Sequence, residues 1–563
     1  MSHRPADRVT WRPGPVGDAV RDSLEGRLRE FIVDESSEPV VMFSPEAREV
    51  SDPGGWYGEH LGKWLVAASH AAQRTGDPVL TERIRAVVDF VSQNQEPSGY
   101  AGTYAHDAAW RMTETSSEKV RTWDVWVHAW TMMGLLRAGA IEPAVCIGEL
   151  MLTTFAERSL LDLGNHAGLS SAVAIEPLAE LTVATGDPRF ADLAARTVEE
   201  MESRLGFLSK DDAAEIGTGK AYQLLWCVTG IVALYRATGK RRYLDAAIRR
   251  WLNIAEFHLS PLGGPWGGVA GHKEVFNAKG FFSPYGMTET CAAASWMALC
   301  RELFKITGEA RFAAAFERTL LNTLLGALDE NGRDWVYFTF PNGRRNNTYH
   351  WACCRSSGAM ALEQASGMVA TVFENEVFVN LLHPAEVQFE QIGLALEISE
   401  RAIHFKTAAE TELTLKVRVP EGAQILSITL NGEPNDAVIQ DGYLQISREW
   451  ATGDELSWEI NTPIRVVPLT YSVDHHGQEV VRMDYAYVAR GPWVYATGLI
   501  DGYRKEETLR IPRLTPEAPF RLENDEIRFY APGRTPILFL PYYRAGGRHE
   551  GAWRTTWLQI AWQ

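Results

Sequence analysis

One short punctuation mark recurs through the first two-thirds of this chain and constrains its fold more than any other feature. Arg74-Thr75-Gly76-Asp77-Pro78 closes one apolar-periodic stretch and opens the next. Ala184-Thr185-Gly186-Asp187-Pro188, the run from Ala237 to Lys240 and the run from Ile306 to Glu309 do the same, and Arg137-Ala138-Gly139 is a degenerate copy. Each glycine suits the left-handed position that ends a helix, and the following Asp-Pro suits the cap and first turn of another. An aromatic residue or a leucine then leads the next helix, as at Phe190 and Tyr243. The copies lie roughly 50 to 70 residues apart, enough for one helical hairpin and a loop. Five such hairpins, plus one less regular, predict a closed ring of six, an (α/α)6 barrel. No capping repeat with a polar outer face is evident, which also favours closure over an open solenoid.

Near residue 370 the period changes from helical to two. Val372–Leu382, Leu394–Ile398, Ile403–Lys406, Glu412–Val419, Gln424–Leu430, Tyr443–Ser447 and Glu455–Ile460 alternate apolar and polar residues. Asn431-Gly432, Asp441-Gly442 and Thr452-Gly453-Asp454 separate them as turns. Short strands at this spacing predict a β-sandwich, and the pattern continues from Val466 to a last strand near Thr556–Trp562. The expected fold is therefore mainly α with a β region: a barrel over residues 1–370, then one or two small sandwiches over 371–563. No long linker or low-complexity tract intervenes, so the two parts are expected to pack together.

At 563 residues the chain exceeds one simple core. Its 72 acidic and 55 basic residues leave a net charge of −17, which argues against nucleic acid or an anionic membrane as partner. The 19 tryptophans are spread along the whole sequence. Many belong in the core, but indole is also the side chain that stacks on sugar rings. The N-terminus has no apolar signal-like segment, and no run of about 18 apolar residues predicts a membrane span. Cys146, Cys227 and Cys300 sit in apolar helical contexts and are expected to be small core residues. A cytoplasmic, reduced protein is the simplest expectation. A homodimer is compatible with the sequence, the β region offering the surface.

The other three of the six cysteines fall in two patches. Cys353 and Cys354 are adjacent, after His350 and Trp351, and Glu289-Thr290-Cys291 lies upstream. Three thiols and a carboxylate can close a tetrahedral zinc site or hold a thiolate for nucleophilic attack. Glu289 and Cys291 would share a face only on an extended segment, which Pro284, Tyr285 and Gly286 make plausible, with a helix starting near Ala292. Adjacent cysteines would share one ion only across an irregular turn. No general spacing rule predicts such a site, and three buried thiols beside an unrelated surface glutamate fit the same residues. Glu274 lies in a loop that follows the Gly/Pro-rich run from Pro261 to Gly268. Such loops sit on barrel rims, where function concentrates, although a lone glutamate there is more often simply solvated.

These residues carry a resemblance to glycoside hydrolase family 127, retaining β-L-arabinofuranosidases, over nearly the whole chain. The matching segments are Gly54 to Leu65, Gly99 to Tyr104, Trp123 to His128, Glu-Thr-Cys at 289–291, the cysteine pair, and Arg490 to Tyr495. The Glu-Thr-Cys plus Cys-Cys combination is the specific part. The resemblance implies an (α/α)6 barrel with β-sandwich additions, in agreement with the pattern above. It implies Glu289, Cys291, Cys353 and Cys354 as zinc ligands, Cys353 also as nucleophile, and Glu274 as general acid/base. It implies His128 as a substrate contact, Tyr337 as a pocket tyrosine and His166 as a weaker match. The expected activity is zinc-dependent exo-hydrolysis, with retention, of a β-L-arabinofuranoside or related carbohydrate.

The chain departs from the family pattern in places. Arg355-Ser356-Ser357-Gly358 follows the cysteine pair, and one residue fewer separates Glu274 from Glu289. Lys220 stands where the arabinofuranosidases have a histidine, and a cation there would favour an acidic or differently substituted sugar. Two other readings remain at this stage. A non-catalytic carbohydrate-binding protein would use the zinc site as a brace, but would not need Glu274. Another (α/α)6 enzyme, such as a lyase or epimerase, would not need adjacent cysteines.

Overall fold

The structure, a computed structural model, describes residues 2–50, 55–108, 111–112, 121–268, 274–500, 510–512, 519–523, 526–530 and 535–561. Gly54 and Trp562, which belong to segments quoted above, lie outside the described residues. The glycine punctuation does what the sequence predicts. Gly76, Gly139, Gly186, Gly239 and Gly308 all have φ between 67° and 78°, a conformation that costs a glycine little. Asp77 and Asp187 then cap the following helices, Pro78–Gln93 and Pro188–Leu205, by accepting backbone N–H groups of the first turn.

Six inner helices form the ring: Glu59–Thr75, Asp124–Arg137, Ile175–Thr185, Ala221–Thr238, Thr290–Thr307 and Cys353–Gln364. Each packs on the next, and the last packs back on the first, so the barrel is closed. Buried tryptophans, Trp64, Trp126, Trp130 and Trp296 among them, fill it. Five outer helices follow their inner partners in sequence. The sixth does not: the outer helix Pro15–Ser23 packs on Cys353–Gln364. The expected irregular hairpin is thus assembled from the beginning and the end of the helical region. His166–Thr185, which feeds the third inner helix, is long and apolar enough by composition to cross a membrane. The expectation of no such run is corrected to that extent. Its apolarity has another cause here, because 72% of it is buried inside the molecule.

Two sheets follow the barrel. A six-stranded sheet orders Arg4–Pro5, Ala370–Phe373, Glu376–Val379, Thr411–Arg418, Tyr443–Trp450 and Val438–Gln440. A seven-stranded sheet orders Glu433–Pro434, Gln424–Leu430, Glu455–Asn461, Ala402–Thr407, Leu394–Ile398, Ala385–Phe389 and Arg8–Trp11. They face each other as a sandwich, and Phe405 of one stacks on Trp450 of the other with centroids 4.0 Å apart. A third, eight-stranded sheet holds a separate core that includes Val488, Phe529 and Phe539. The structure differs from the sequence reading at two points. Val372–Leu382 is two strands, turned at Glu374 with φ 51°. Residues 4–11 pair with strands at 371–372 and 385–388 instead of staying with the helical part. Those two strands are too short to show a period, and only their long-range partners define them.

Candidate active site at the helix N-termini

The inner helices run parallel, so their N-termini converge on one rim. Glu59, Asp124 and Cys353 are first residues of inner helices, Lys220 and Glu289 are N-caps, and Cys291 and Cys354 lie on first turns. Aligned peptide dipoles place partial positive charge at such ends. A barrel of this kind therefore favours thiolates and carboxylates on this rim, whatever their detailed contacts.

The two cysteine patches meet here. Cys291 Sγ lies 3.3 Å from the sulfurs of both Cys353 and Cys354, and Glu289 Oε1 lies 4.0 Å from Cys354 Sγ. One donor atom from each of the four residues lies within 4.8 Å of the others. Glu289 sits on the expected extended segment, with Thr288–Glu289 paired to Phe338–Thr339. The helix starts at Thr290, earlier than Ala292. The cysteine pair does not sit on an irregular turn. Both residues open a helix, and Ala352 before them is extended. Consecutive helical side chains diverge by only about 100° and lean toward the N-terminus, so both sulfurs reach a point beyond the helix end.

Three sulfurs and a buried carboxylate converge on one point and are donors that could hold a metal ion. The sulfurs share charge unevenly. Hydrogen bonds from Cys291 and Cys354 draw Cys353 well below the ordinary thiol range, with help from the Lys63 and Lys220 ammonium groups. Burial pushes Cys291 and Cys354 well up. Burial likewise pushes Glu289 up to about 8, against the pull of Lys220.

Glu274 is brought to this cluster by backbone stitching. Ala221 N donates to Glu274 O at 3.1 Å, and Phe276 N donates to Gly219 O at 2.9 Å. The Tyr337 hydroxyl donates to Glu274 Oε1 at 2.6 Å and lies 3.8 Å from Cys353 Sγ. One hydroxyl thus joins the carboxylate to the half-buried sulfur of Cys353. Lys220 Nζ contacts Glu274 and lies 3.5 Å from Glu289 Oε2. Although burial opposes its charge, the carboxylates of Glu289 and Glu274 prevail, and the ammonium is stabilised. At 4% exposure and committed to two carboxylates, Lys220 is not placed to receive an acidic sugar.

Above these residues opens a cavity of about 570 Å³, walled by Trp56, Trp123, Trp126, Tyr222 and Tyr349. Cys353, Glu274, Glu289, Lys220, Tyr337 and His166 line it. His166 has φ 54° and packs edge-on to Trp123, a strained position of the kind that clusters at functional sites. His128 is not among the lining residues. It is fully buried, Nδ1 lies 2.8 Å from Asp124 O, and Nε2 accepts the Ala101 N–H at 3.1 Å. The expected substrate contact is replaced by a backbone brace. Arg355 also points away, bound to Asp334 Oδ2 at 2.6 Å and to the carbonyls of Thr348 and Tyr349. It holds the loop that presents Tyr349. Of the scattered cysteines, Cys227 and Cys300 are core, but Cys146 is exposed.

Glu59 and Lys63 were not singled out from the sequence. Glu59 lines the cavity, accepts from Trp126 Nε1 and pairs with the fully buried Lys63 at 3.0 Å. Burial pushes Glu59 up to about 7 against Lys63. The available signal was an i, i+4 charge pair at the start of a helix that then runs apolar from Trp64 to Ala68.

Comparison with known proteins agrees with this geometry. A family model described as the β-L-arabinofuranosidase, GH127 catalytic domain, matches residues 20–367, and the GH127 middle domain matches residues 376–462. A non-reducing end β-L-arabinofuranosidase from Bifidobacterium longum subsp. longum is 21% identical over 517 residues, covering 78% of this chain and 75% of the relative. A solved GH127 β-arabinofuranosidase superimposes with TM-score 0.75 at 19% identity, covering 99% of this chain and 98% of its own. A GH127 β-L-arabinofuranosidase from Geobacillus stearothermophilus T6 gives 0.74 at 17% identity, covering 98% and 100%.

Proposed function

Because this chain belongs to the GH127 β-L-arabinofuranosidase family and is a glycoside hydrolase, we propose that it removes a non-reducing β-L-arabinofuranosyl or closely related unit with retained configuration. The observation that carries this reading is the Tyr337 hydroxyl, which joins Glu274 to Cys353 on the floor of an aromatic cavity. Glu274 protonates the departing glycosidic oxygen as Cys353 Sγ attacks the anomeric carbon. The C–O bond breaks, a C–S bond forms, and Glu274 is left ionised. It then takes a proton from water, whose oxygen displaces Cys353 and regenerates the thiolate. Two inversions give retention.

Glu289, Cys291, Cys353 and Cys354 would hold zinc, which when bound keeps thiols ionised at neutral pH. The remaining work belongs to the chain's own groups. Tyr337 orients Glu274, Lys220 balances the carboxylates around it, and the tryptophan walls exclude water and stack on the sugar. A reducing, cytoplasmic setting suits three sulfurs at this spacing, which an oxidant would join.

The test is a panel of aryl glycosides that includes the β-L-arabinofuranoside, run on the wild type, Cys353→Ser and Glu274→Gln. Intact-mass analysis should find a glycosyl adduct on Cys353 when water attack is slowed in Glu274→Gln. Turnover untouched by Cys353→Ser would overturn the thiolate mechanism.

A further inference from the structure

The opposite end of the barrel gathers cations from the inner helices, paired with Glu363, Glu180 and Glu302. Arg74, Arg137, Arg236 and Lys305 lie in the last turns of inner helices. Helix C-termini favour cations, so their presence alone requires no ligand. The space between them is another matter. Arg74, Arg137, Arg301 and Lys305 line a cavity of about 190 Å³, covered by the N-terminal segment at Pro5, Ala6 and Asp7.

The lining carries four cations against two carboxylates, Glu363 and Asp7. Glu363 is engaged by Arg74 at 3.0 and 3.1 Å, and Asp7 accepts the backbone N–H of Glu390. Glu180 pairs with Arg137 at 2.7 Å, and Glu302 with Arg301 at 2.9 Å and with Lys305 at 3.2 Å, but neither carboxylate lines the cavity. Two buried polar groups of the lining have no hydrogen-bond partner, His70 Nε2 and Gln364 Oε1. Gln364 is only 3% exposed, and its amide can present nitrogen or oxygen by rotation. Burial, then Arg301, Arg137 and Lys305, push His70 down to about 3, so its imidazole is neutral and one nitrogen is a donor. Burial and the neighbouring arginines push Lys305 down to about 8 despite Glu302.

We propose that this cavity is a binding site for a small oxyanion of the phosphate class, held between the barrel base and the N-terminal segment. The guanidinium forks of Arg74, Arg137 and Arg301 match paired oxygens, which a monatomic anion lacks. The volume corresponds to about six liquid waters, room for such an anion and part of its hydration. The site is separate from catalysis. Gln364 ends the helix that Cys353 begins, about 17 Å away by helical rise. The anion would fasten residues 5–7, and with them the edge strands of both sandwich sheets, to the barrel.

Inorganic phosphate, titrated into the full-length protein at ionic strength held constant with sodium chloride, tests this by calorimetry and thermal unfolding. Saturable heat and a saturable rise in Tm are expected, with glycosidase turnover unchanged. Arg301→Gln and Lys305→Gln should each weaken binding by about tenfold or more, the loss of one charge-assisted hydrogen bond, and Lys305→Arg should keep it. If Arg301→Gln does not fold, Lys305→Gln alone decides, since that ammonium is at the partly exposed edge of the cavity. An equal rise from chloride, an unchanged phosphate affinity in Lys305→Gln, or competitive inhibition of turnover by phosphate would each overturn the proposal.

Discussion

Replacing the Cys353 sulfur by oxygen separates two roles that one atom holds in the proposed mechanism. Cys353→Ser should lower kcat by about a thousandfold or more, measured by steady-state kinetics on an aryl glycoside. Cys354→Ser should instead act through lost metal, seen as reduced zinc content by elemental analysis. Glu274→Gln should slow substrates with poor leaving groups by about 10²- to 10⁴-fold and activated aryl glycosides much less. Lys220 gives a pH prediction. Ligation needs Glu289 ionised, burial raises its pKa to about 8, and Lys220 opposes that rise. Lys220→Met removes the opposing charge, so zinc should be lost at a higher pH as the solution is acidified. Zinc content followed against pH checks this, and an unchanged midpoint would show that Lys220 does not serve Glu289. At this scale the residue types were legible in the sequence, because three thiols and two glutamates are chemically distinctive. Their surroundings were not. His128 matched a substrate contact and Arg355 stood out as a departure from the family pattern, and both turn out to hold backbone.

Helices explain why the reactive groups cluster where they do. Each inner helix starts at the active rim, so one sequence register, the cap and first turn, collects Glu59, Lys220, Glu289, Cys291, Cys353 and Cys354. The hairpins behind them were readable because Gly-Asp-Pro is a local signal. Its glycine adopts the left-handed conformation, and its aspartate caps within three residues. Asp187→Ala should therefore lower stability by about 1 kcal/mol and leave kcat unchanged, measured by denaturant unfolding beside kinetics. Adjacent cysteines on a first helical turn were harder to foresee. Sequence spacing alone does not say that both sulfurs point past the helix end.

The whole molecule is held by contacts between segments remote in sequence. The barrel closes only when Pro15–Ser23 packs on Cys353–Gln364, and the sandwich gains residues 4–11 as edge strands of both sheets. Within the sandwich, Phe405 stacks on the fully buried Trp450. Trp450→Ala should cost about 3–5 kcal/mol and lower the unfolding midpoint, while the candidate metal site, which belongs to the barrel, keeps its metal-binding capacity. Retained stability in that variant would mean that the two sheets are not pressed together by this pair. By itself the sequence determined the ring of helical hairpins, the change to β structure near residue 370, and the family. Caps, turns and periodicity act over a few residues, and rare residue types announce chemistry wherever they fall. Only the tertiary structure decided which helix completes the ring, which matched residues reach the cavity, and that Lys220 is committed to Glu274 and Glu289. Those outcomes depend on distances between segments up to hundreds of residues apart, which no local pattern encodes.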